Sequence, residues 1–227
     1  MPTHATHPIQ TETRERLLEA ALHAFGSRDY DGVSTREIVE KAEANISAIS
    51  YHFGGKKGLY HATVAYLAEK LHAGMMEQLE QIRQKATQAS TEQCAELISD
   101  FMLHFLENTL LGEIGMHAPG IVFREQNRPS EAYDILYEKL LKPMQGTLAQ
   151  LVARYRGLKA ADPEVIIMVQ ALIGQTIIFR LGRTTLLRLL DKPAYDASII
   201  EAIKSQLRAN YLAILNTTPD STDTDNA

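Results

Sequence analysis

The sequence holds one cysteine, Cys94, and no tryptophan. A lone cysteine cannot close an intrachain bridge, so a disulfide scaffold is excluded and a reducing compartment suits the chain. Long apolar runs are also missing. The most apolar stretch, 165–179, is interrupted by Gln170, Gln175 and Thr176. It falls short of the ~20 apolar residues that a membrane-spanning helix needs. The opening residues, MPTHATHPIQTETRER, lack the apolar core of a secretion signal. A soluble, cytoplasmic protein with no membrane partner is expected. Basic residues are outnumbered, 23 Lys and Arg against 28 Asp and Glu, which excludes a wholesale cationic coat and leaves only a local basic face open.

Signatures of catalysis are absent too. There is no G-x-S-x-G, no H-E-x-x-H and no dinucleotide fingerprint. Gly54-Gly55-Lys56-Lys57-Gly58 lacks the spacing of a nucleotide loop, and no strand precedes it. Asp100 and His104 share a helix face, but two ligands are too few for a metal. No enzyme activity, cofactor or metal is expected.

What is present is a core. Apolar residues make up 45% of the chain, and they recur at helical rather than strand spacing. Leu18, Ala21, Leu22 and Phe25 share one face within 12–27. Ser34 with Glu37 forms the S-x-x-E pattern that opens a helix. Longer periodic segments start at Leu59, Thr91 and Ser130, the last interrupted by Pro143, which should kink it. Gly115, Pro119 and Gly120 mark a break. Asp162-Pro163-Glu164 is a helix start, Gly182 a stop, and a final helix covers about 196–215. The expected fold is all-α, with about nine helices. Residues 1–11 and 217–227 are polar and without periodicity, and are expected to be disordered.

Residues 34–53, STREIVEKAEANISAISYHF, place a short helix, a tight connection at 43–45 and a second short helix in succession, which is helix-turn-helix geometry. The second helix divides into two sides. Ile46, Ile49 and Phe53 are available for packing, while Asn45, Ser47, Ala48, Ser50 and Tyr51 form a slim polar face able to enter a major groove. From 44 to 58 there are two lysines and no acid, and three glycines allow close approach to a phosphate. Thr35 at the start of the first helix and Lys56 beyond the second are phosphate candidates, and Ser47, Ala48 and Tyr51 are base-edge candidates.

An ordered pattern runs through this region: Ala20-Ala21-Leu22, Phe25, Tyr30, Gly32-Val33, Ser34-Thr35-Arg36-Glu37-Ile38, Ala42, Ile49, Tyr51-His52-Phe53, Lys56 and Leu59. It resembles the N-terminal domain of the TetR family of bacterial transcriptional regulators. The resemblance implies a dimer that sets two recognition helices in successive major grooves, and a divergent C-terminal domain that binds an effector. It also opens a phosphate-holding role for Tyr51 and His52. Three positions depart from the family pattern: Glu43 stands where glycine is usual in the turn, Lys57 where an acid is common, and Gly58 where a stronger helix former is common. Further along, Arg124-Glu125-Gln126, Pro129, Ala132-Tyr133, Pro143, Ala171-Leu172-Ile173-Gly174-Gln175 and Phe179-Arg180-Leu181-Gly182 are similar to the subgroup with a C-terminal domain of CecR (YbiH) type.

The reading is a ligand-responsive repressor that binds a palindromic operator as a homodimer. A DNA-binding domain is expected at 1–58 and an effector and dimerisation domain at 59–216. Candidate pocket residues are Phe101, Met102, Phe105, Phe123 and Phe179 for apolar contact, with His104, His117, Arg124, Gln170 and Gln175 as polar handles. Arg124 has an alternative as half of a structural ion pair with Glu125. The segments 163–181 and 196–215 carry more apolar residues than one core face needs, which favours a four-helix interface between two copies. Two other classes are open: a small-molecule sensor with a vestigial DNA domain, and an all-α enzyme.

Overall fold

The computed structural model describes residues 8–112 and 117–216. The elements are α1 (Pro8–Ser27), α2 (Thr35–Lys41), α3 (Ile46–Phe53), α4 (Lys56–Gln88), α5 (Thr91–Leu111), α6 (Ala118–Asn127), α7 (Glu131–Leu136), a π-helical turn (Tyr137–Leu141), α8 (Lys142–Arg156), α9 (Pro163–Leu181), α10 (Arg183–Leu189) and α11 (Ala197–Asn216). Since α7, the π turn and α8 follow without a break, the eleven α segments make ten helices, and no strand occurs among the described residues. The fold is all-α.

Several local outcomes differ from the expectations. α1 begins at Pro8, so the helix takes in residues 8–11. The remaining expected tails, 1–7 and 217–227, lie outside the described residues. Pro119 does not hold the break open; it sits at the start of α6, where a missing N–H costs nothing. At Pro143, where a kink is expected, the helical run continues from the π turn into α8. The turn before it widens, with the Lys142 N–H reaching back five residues to the Tyr137 carbonyl, and this slack accommodates the proline ring. At Gly182 the chain stops one helix and starts another, α10, which the spacing did not announce.

Two compact units divide the chain: Met1–Glu77 with Thr109–Met144, and Gln78–Asn108 with Gln145–Ala227. The sequence boundary at 58 therefore falls inside the first unit. The reason is packing: Leu59, Val64, Leu67 and Ala68 of α4 lie in the same core as Leu17, Leu18 and Phe25 of α1, Ile38 of α2 and Ile49 of α3. Ala118 and Ile121 of α6, with Ala132 and Leu136 of α7, belong to that core too.

Contact between α1 and α6 is made at backbone distance. A Cβ on Gly120 would lie 2.0 Å from the Gly26 carbonyl oxygen, so neither helix could close on the other with a side chain there. Arg124 Nη2 then donates to the Phe25 carbonyl at 2.8 Å and to the Arg28 carbonyl, a cation at the carbonyl end of α1. The next residue, Glu125, is 1% exposed. Its Oε1 accepts from Tyr60 Oη at 2.6 Å, and its Oε2 accepts from the Ser130 amide at 3.0 Å and hydroxyl at 2.9 Å. Ser130 in turn caps α7, accepting from the Ala132 amide.

In the second unit, Arg208 of α11 donates to Glu96 at 2.6 Å and Asp100 at 2.5 Å on α5. Arg156 reaches the Leu215 carbonyl and Glu164. Thr176 Oγ1 meets the buried Tyr211 hydroxyl at 2.7 Å and donates to the Leu172 carbonyl. α9 buries Val165, Val169, Leu172, Ile173 and Thr176 on one side. Its other side leaves Ile166, Ile167, Ile178 and Leu181 exposed in the single chain. By length and composition α9 is long and apolar enough to cross a membrane.

Burial pushes the Tyr60 phenol up to about 12, and the Glu125 carboxylate adds to the shift. Its folded value thus lies above its ordinary value of 10.0, so the stability it contributes is whole below pH 10 and is lost as pH rises through 12. Denaturant unfolding across this range is expected to show that loss, and Tyr60→Phe is expected to reduce the pH dependence while costing ~1–3 kcal/mol at neutral pH. An unchanged alkaline profile in Tyr60→Phe would contradict the assignment.

Candidate nucleic-acid interface

α2 is short because its termini are both capped. Ser34 Oγ accepts from the Arg36 amide at 3.2 Å, an N-cap bond to the second helical residue, where the expected capping box would place it on the Glu37 amide. Glu37, the other half, bonds to Arg28 instead. At the far end the Ala44 amide reaches the Val39 carbonyl and the Glu43 amide reaches the Glu40 carbonyl. This pair of bonds is a Schellman motif, which needs a left-handed residue at its corner. Glu43 fills it with φ 49°, so the turn is built as a glycine turn without the glycine.

α3 begins at once. Asn45 Oδ1 accepts from the Ser47 amide at 3.0 Å and hydroxyl at 3.1 Å, so Asn45 serves as the N-cap and holds Ser47. Ile49 is buried, and Ala48 and Phe53 pack against the core. Asn45, Ser47, Ser50 and Tyr51 are exposed, with Tyr51 at 71%. Ile46 does not take the packing role expected for it. It is 54% exposed and shares the outward face with Ser47 and Ser50. The expectation groups Ile46 with Ile49 and Phe53 by residue type alone. The spacing 46, 47, 50, 51 was the available signal that Ile46 lies on the polar side.

Beyond α3 the chain turns through Gly54, left-handed with φ 72°, into α4. Gly58 is explained by close approach: a Cβ there would sit 1.8 Å from the Phe53 carbonyl oxygen. Lys56 Nζ stands 4.5 Å from the centre of the Tyr30 ring, which itself packs on Phe25 and Tyr60. The ring fixes where this cation points. His52 lies edge-on to Tyr51 at 4.9 Å, and Arg14 of α1 stands 5.5 Å from the Phe53 ring centre. Thr35 is half-buried at the first position of α2. A slim exposed face on α3, flanked by cations held over rings, is an arrangement that can meet base edges and phosphates together.

The ten pocket candidates are not one set. His117, Phe123 and Arg124 belong to the first unit, the other seven to the second. Arg124 is occupied by the carbonyls of α1 and by Asp29, so it is a structural clamp; its ion pair is with Asp29 at 3.6 Å rather than with Glu125. Phe123 is 52% exposed, and His117 packs on the His23 ring at 4.3 Å. Phe101 and Met102 are core residues. Phe105 and Phe179 are half-buried, and Gln170 is exposed. His104 is bonded to Gln78. Two of the ten keep buried nitrogens without a hydrogen-bond partner: Arg124 at Nε and Nη1 in the first unit, and Gln175 at Nε2 in the second, where the Ser99 hydroxyl is also without one. Asp100 is taken by Arg208, and no group of three metal-ligating side chains occurs among the described residues.

The architecture is that of an all-helical protein with an N-terminal helix-turn-helix. Residues 17–63 match the family described as bacterial regulatory proteins, tetR family. Residues 91–218 match the C-terminal domain of the HTH-type transcriptional dual regulator CecR. The chain is 30% identical over 207 residues to the HTH-type transcriptional dual regulator CecR of Shigella flexneri, covering 90% of this chain and 92% of the relative. Among solved structures, a transcriptional regulator from Rhodococcus shares the fold with a TM-score of 0.60 at 17% identity, over 91% of this chain and 99% of that one. A tetR-family regulator from Streptomyces coelicolor does so with a TM-score of 0.56 at 17% identity, over 90% and 80%. The chain belongs to the TetR family of DNA-binding transcriptional regulators, with a C-terminal domain of CecR type.

Two outcomes follow from this geometry. Glu43→Gly removes a left-handed glutamate and is expected to raise stability by up to ~1 kcal/mol, read as a higher denaturation midpoint. Lys56→Ala is expected to weaken binding evenly across DNA sequences and to reduce the slope of log affinity against log salt by ~1. A salt titration with unchanged slope would remove Lys56 from the phosphate contacts.

Proposed function

We propose that this regulator works as a homodimer on a palindromic operator and that a small-molecule effector controls its grip. The observation that carries the reading is the outward face of α3, where Asn45, Ile46, Ser47, Ser50 and Tyr51 stand exposed on a helix anchored by Ile49. Ser47, Ser50 and Tyr51 would read base edges, Ile46 would meet a thymine methyl group, and so would the part of Ala48 that its packing on the core leaves exposed. Thr35, His52 and Lys56 would hold phosphates, fixing the register without reading sequence.

The exposed apolar side of α9 supports the dimer. Ile167, Ile178 and Leu181 recur at helical spacing beside the small residues Ala171 and Gly174, which let a partner helix approach closely. Such a face left in water is costly, and α9 packed with α11 against the same pair from a second copy would bury it. A cytoplasmic location agrees with this use of α9. The effector site is proposed in the second unit, where the unpartnered Gln175 amide and Ser99 hydroxyl supply hydrogen-bonding groups that a polar ligand would satisfy. Repression follows where the operator overlaps a promoter. The relative named a dual regulator favours activation at other sites as a second mode.

Ile178→Glu puts a charge into the proposed interface. Sedimentation is expected to show monomers with retained helicity, and affinity for a palindromic duplex is expected to fall at least ~100-fold as the second half-site is lost. A variant that stays dimeric would exclude this face as the interface.

A further inference from the structure

Lys57 and Glu131 stand 74 positions apart in the chain, yet Lys57 Nζ donates to Glu131 Oε1 at 2.6 Å. Both side chains are largely exposed, 65% and 70%. Lys57 lies in the first turn of α4, beside Lys56 and just past the recognition helix, in a segment where no acid occurs from 44 to 58. It is also the position where the family pattern commonly carries an acid. Here the charge is reversed, and the acid is supplied from α7 instead.

The placement of Glu131 is not left to a mobile side chain alone. Ser130, its neighbour, gives both its amide and its hydroxyl to the buried Glu125 carboxylate, which also holds Tyr60. Tyr60 is one helical turn beyond Lys57 on α4. The buried bond fixes the backbone at the start of α7, and the exposed pair closes next to it. The Lys57 hydrogen bond holds the Glu131 carboxyl below the usual carboxylate range, so the acid stays ionised near neutral pH.

We propose that Glu131 is a positioning residue for DNA binding: it holds Lys57 in an intramolecular ion pair and thereby withholds one cation from the DNA backbone. Exposed ion pairs are weak, so a phosphate presented by the duplex competes with Glu131 on nearly equal terms. The pair therefore sets a tunable share of the non-specific affinity, controlled from α7 and not from the recognition helix. Anything that shifts the first turn of α7 away from α4 would release Lys57 and tighten the grip on the backbone.

The inference rests on the DNA-binding reading, and a two-by-two set of variants separates the two. Full-length wild type, Glu131→Gln, Lys57→Gln and the double variant are titrated with a random-sequence duplex by fluorescence anisotropy between ~50 and 200 mM salt. Glu131→Gln is expected to bind about threefold more tightly at the low end. Its slope of log affinity against log salt is expected to steepen by ~0.9, one additional phosphate contact. Both gains are expected to vanish in the Lys57→Gln background. A slope that does not steepen in Glu131→Gln, or one that steepens equally without Lys57, overturns the latch while leaving DNA binding intact. Absence of binding by all four proteins overturns the DNA-binding reading and the latch with it. Thermal unfolding of each variant identifies a loss that comes from misfolding.

Discussion

A carboxyl group buried to 1% exposure needs hydrogen-bond partners, and Glu125 finds three, one from Tyr60 and two from Ser130. That single group joins α4, α6 and α7. Removing any donor would leave a buried acceptor short of partners, so the three elements are committed to one another. Beside it, the Gly26–Gly120 approach and the Arg124 clamp join α6 to α1. The helix-turn-helix therefore does not stand as a separate three-helix module. It is packed into a unit that includes residues from the middle of the chain. A signal that moves α6 or α7 has a physical route to the elements that carry DNA contacts, and it needs no long-range wire.

The recognition element illustrates how tightly local chemistry constrains function. The Schellman corner, the Asn45 cap and the close approach at Gly58 leave almost no freedom in how α3 leaves α2 or enters α4. Glu43 accepts a conformation that glycine would adopt more easily, and the surrounding bonds hold it there. The result is a short helix whose polar face is presented rigidly, with neighbouring cations steered by aromatic rings. An acidic chain can bind DNA in this way because the local field at the interface, not the net charge, faces the phosphates.

Much of this was legible in the sequence. The helical spacing gave the all-α class, Ser34 and Asp162-Pro163 gave helix starts, and the ordered motif from Ala20 to Leu59 gave the helix-turn-helix. What was not legible was tertiary. Nothing in the spacing said that Leu59 and Val64 would enter the N-terminal core, because a helix stripe does not name its partner. Arg124 reads in the sequence as a polar handle of a pocket or as a partner of Glu125, since an arginine among apolar residues has several uses, and the carbonyls of α1 that it meets are not adjacent in sequence. Ile46 looked like an anchor because its type outweighed its position. The helix α6 was hidden by Pro119 and Gly120, which mark breaks inside helices but are at home in the first turn of one.

The C-terminal half presents a balance between a closed core and an open face. α9 satisfies its inner side within the unit and leaves its outer side apolar, and Gln175 and Ser99 remain as buried polar groups without partners. The proposed effector would meet these buried polar groups, and the proposed second subunit would cover the apolar face. For an effector to control DNA binding it must bind two arrangements of the dimer with different affinity, since tight binding alone shifts no equilibrium. The central claim is that two copies of α3 read DNA in a fixed, symmetric register. Selection of bound duplexes from a random pool at physiological salt, read by sequencing, tests it most directly. Enrichment of an inverted repeat with half-sites about one helical turn apart, or a multiple of it, is the result this account predicts. Enrichment of a single asymmetric site, or none from folded dimeric protein, would contradict it.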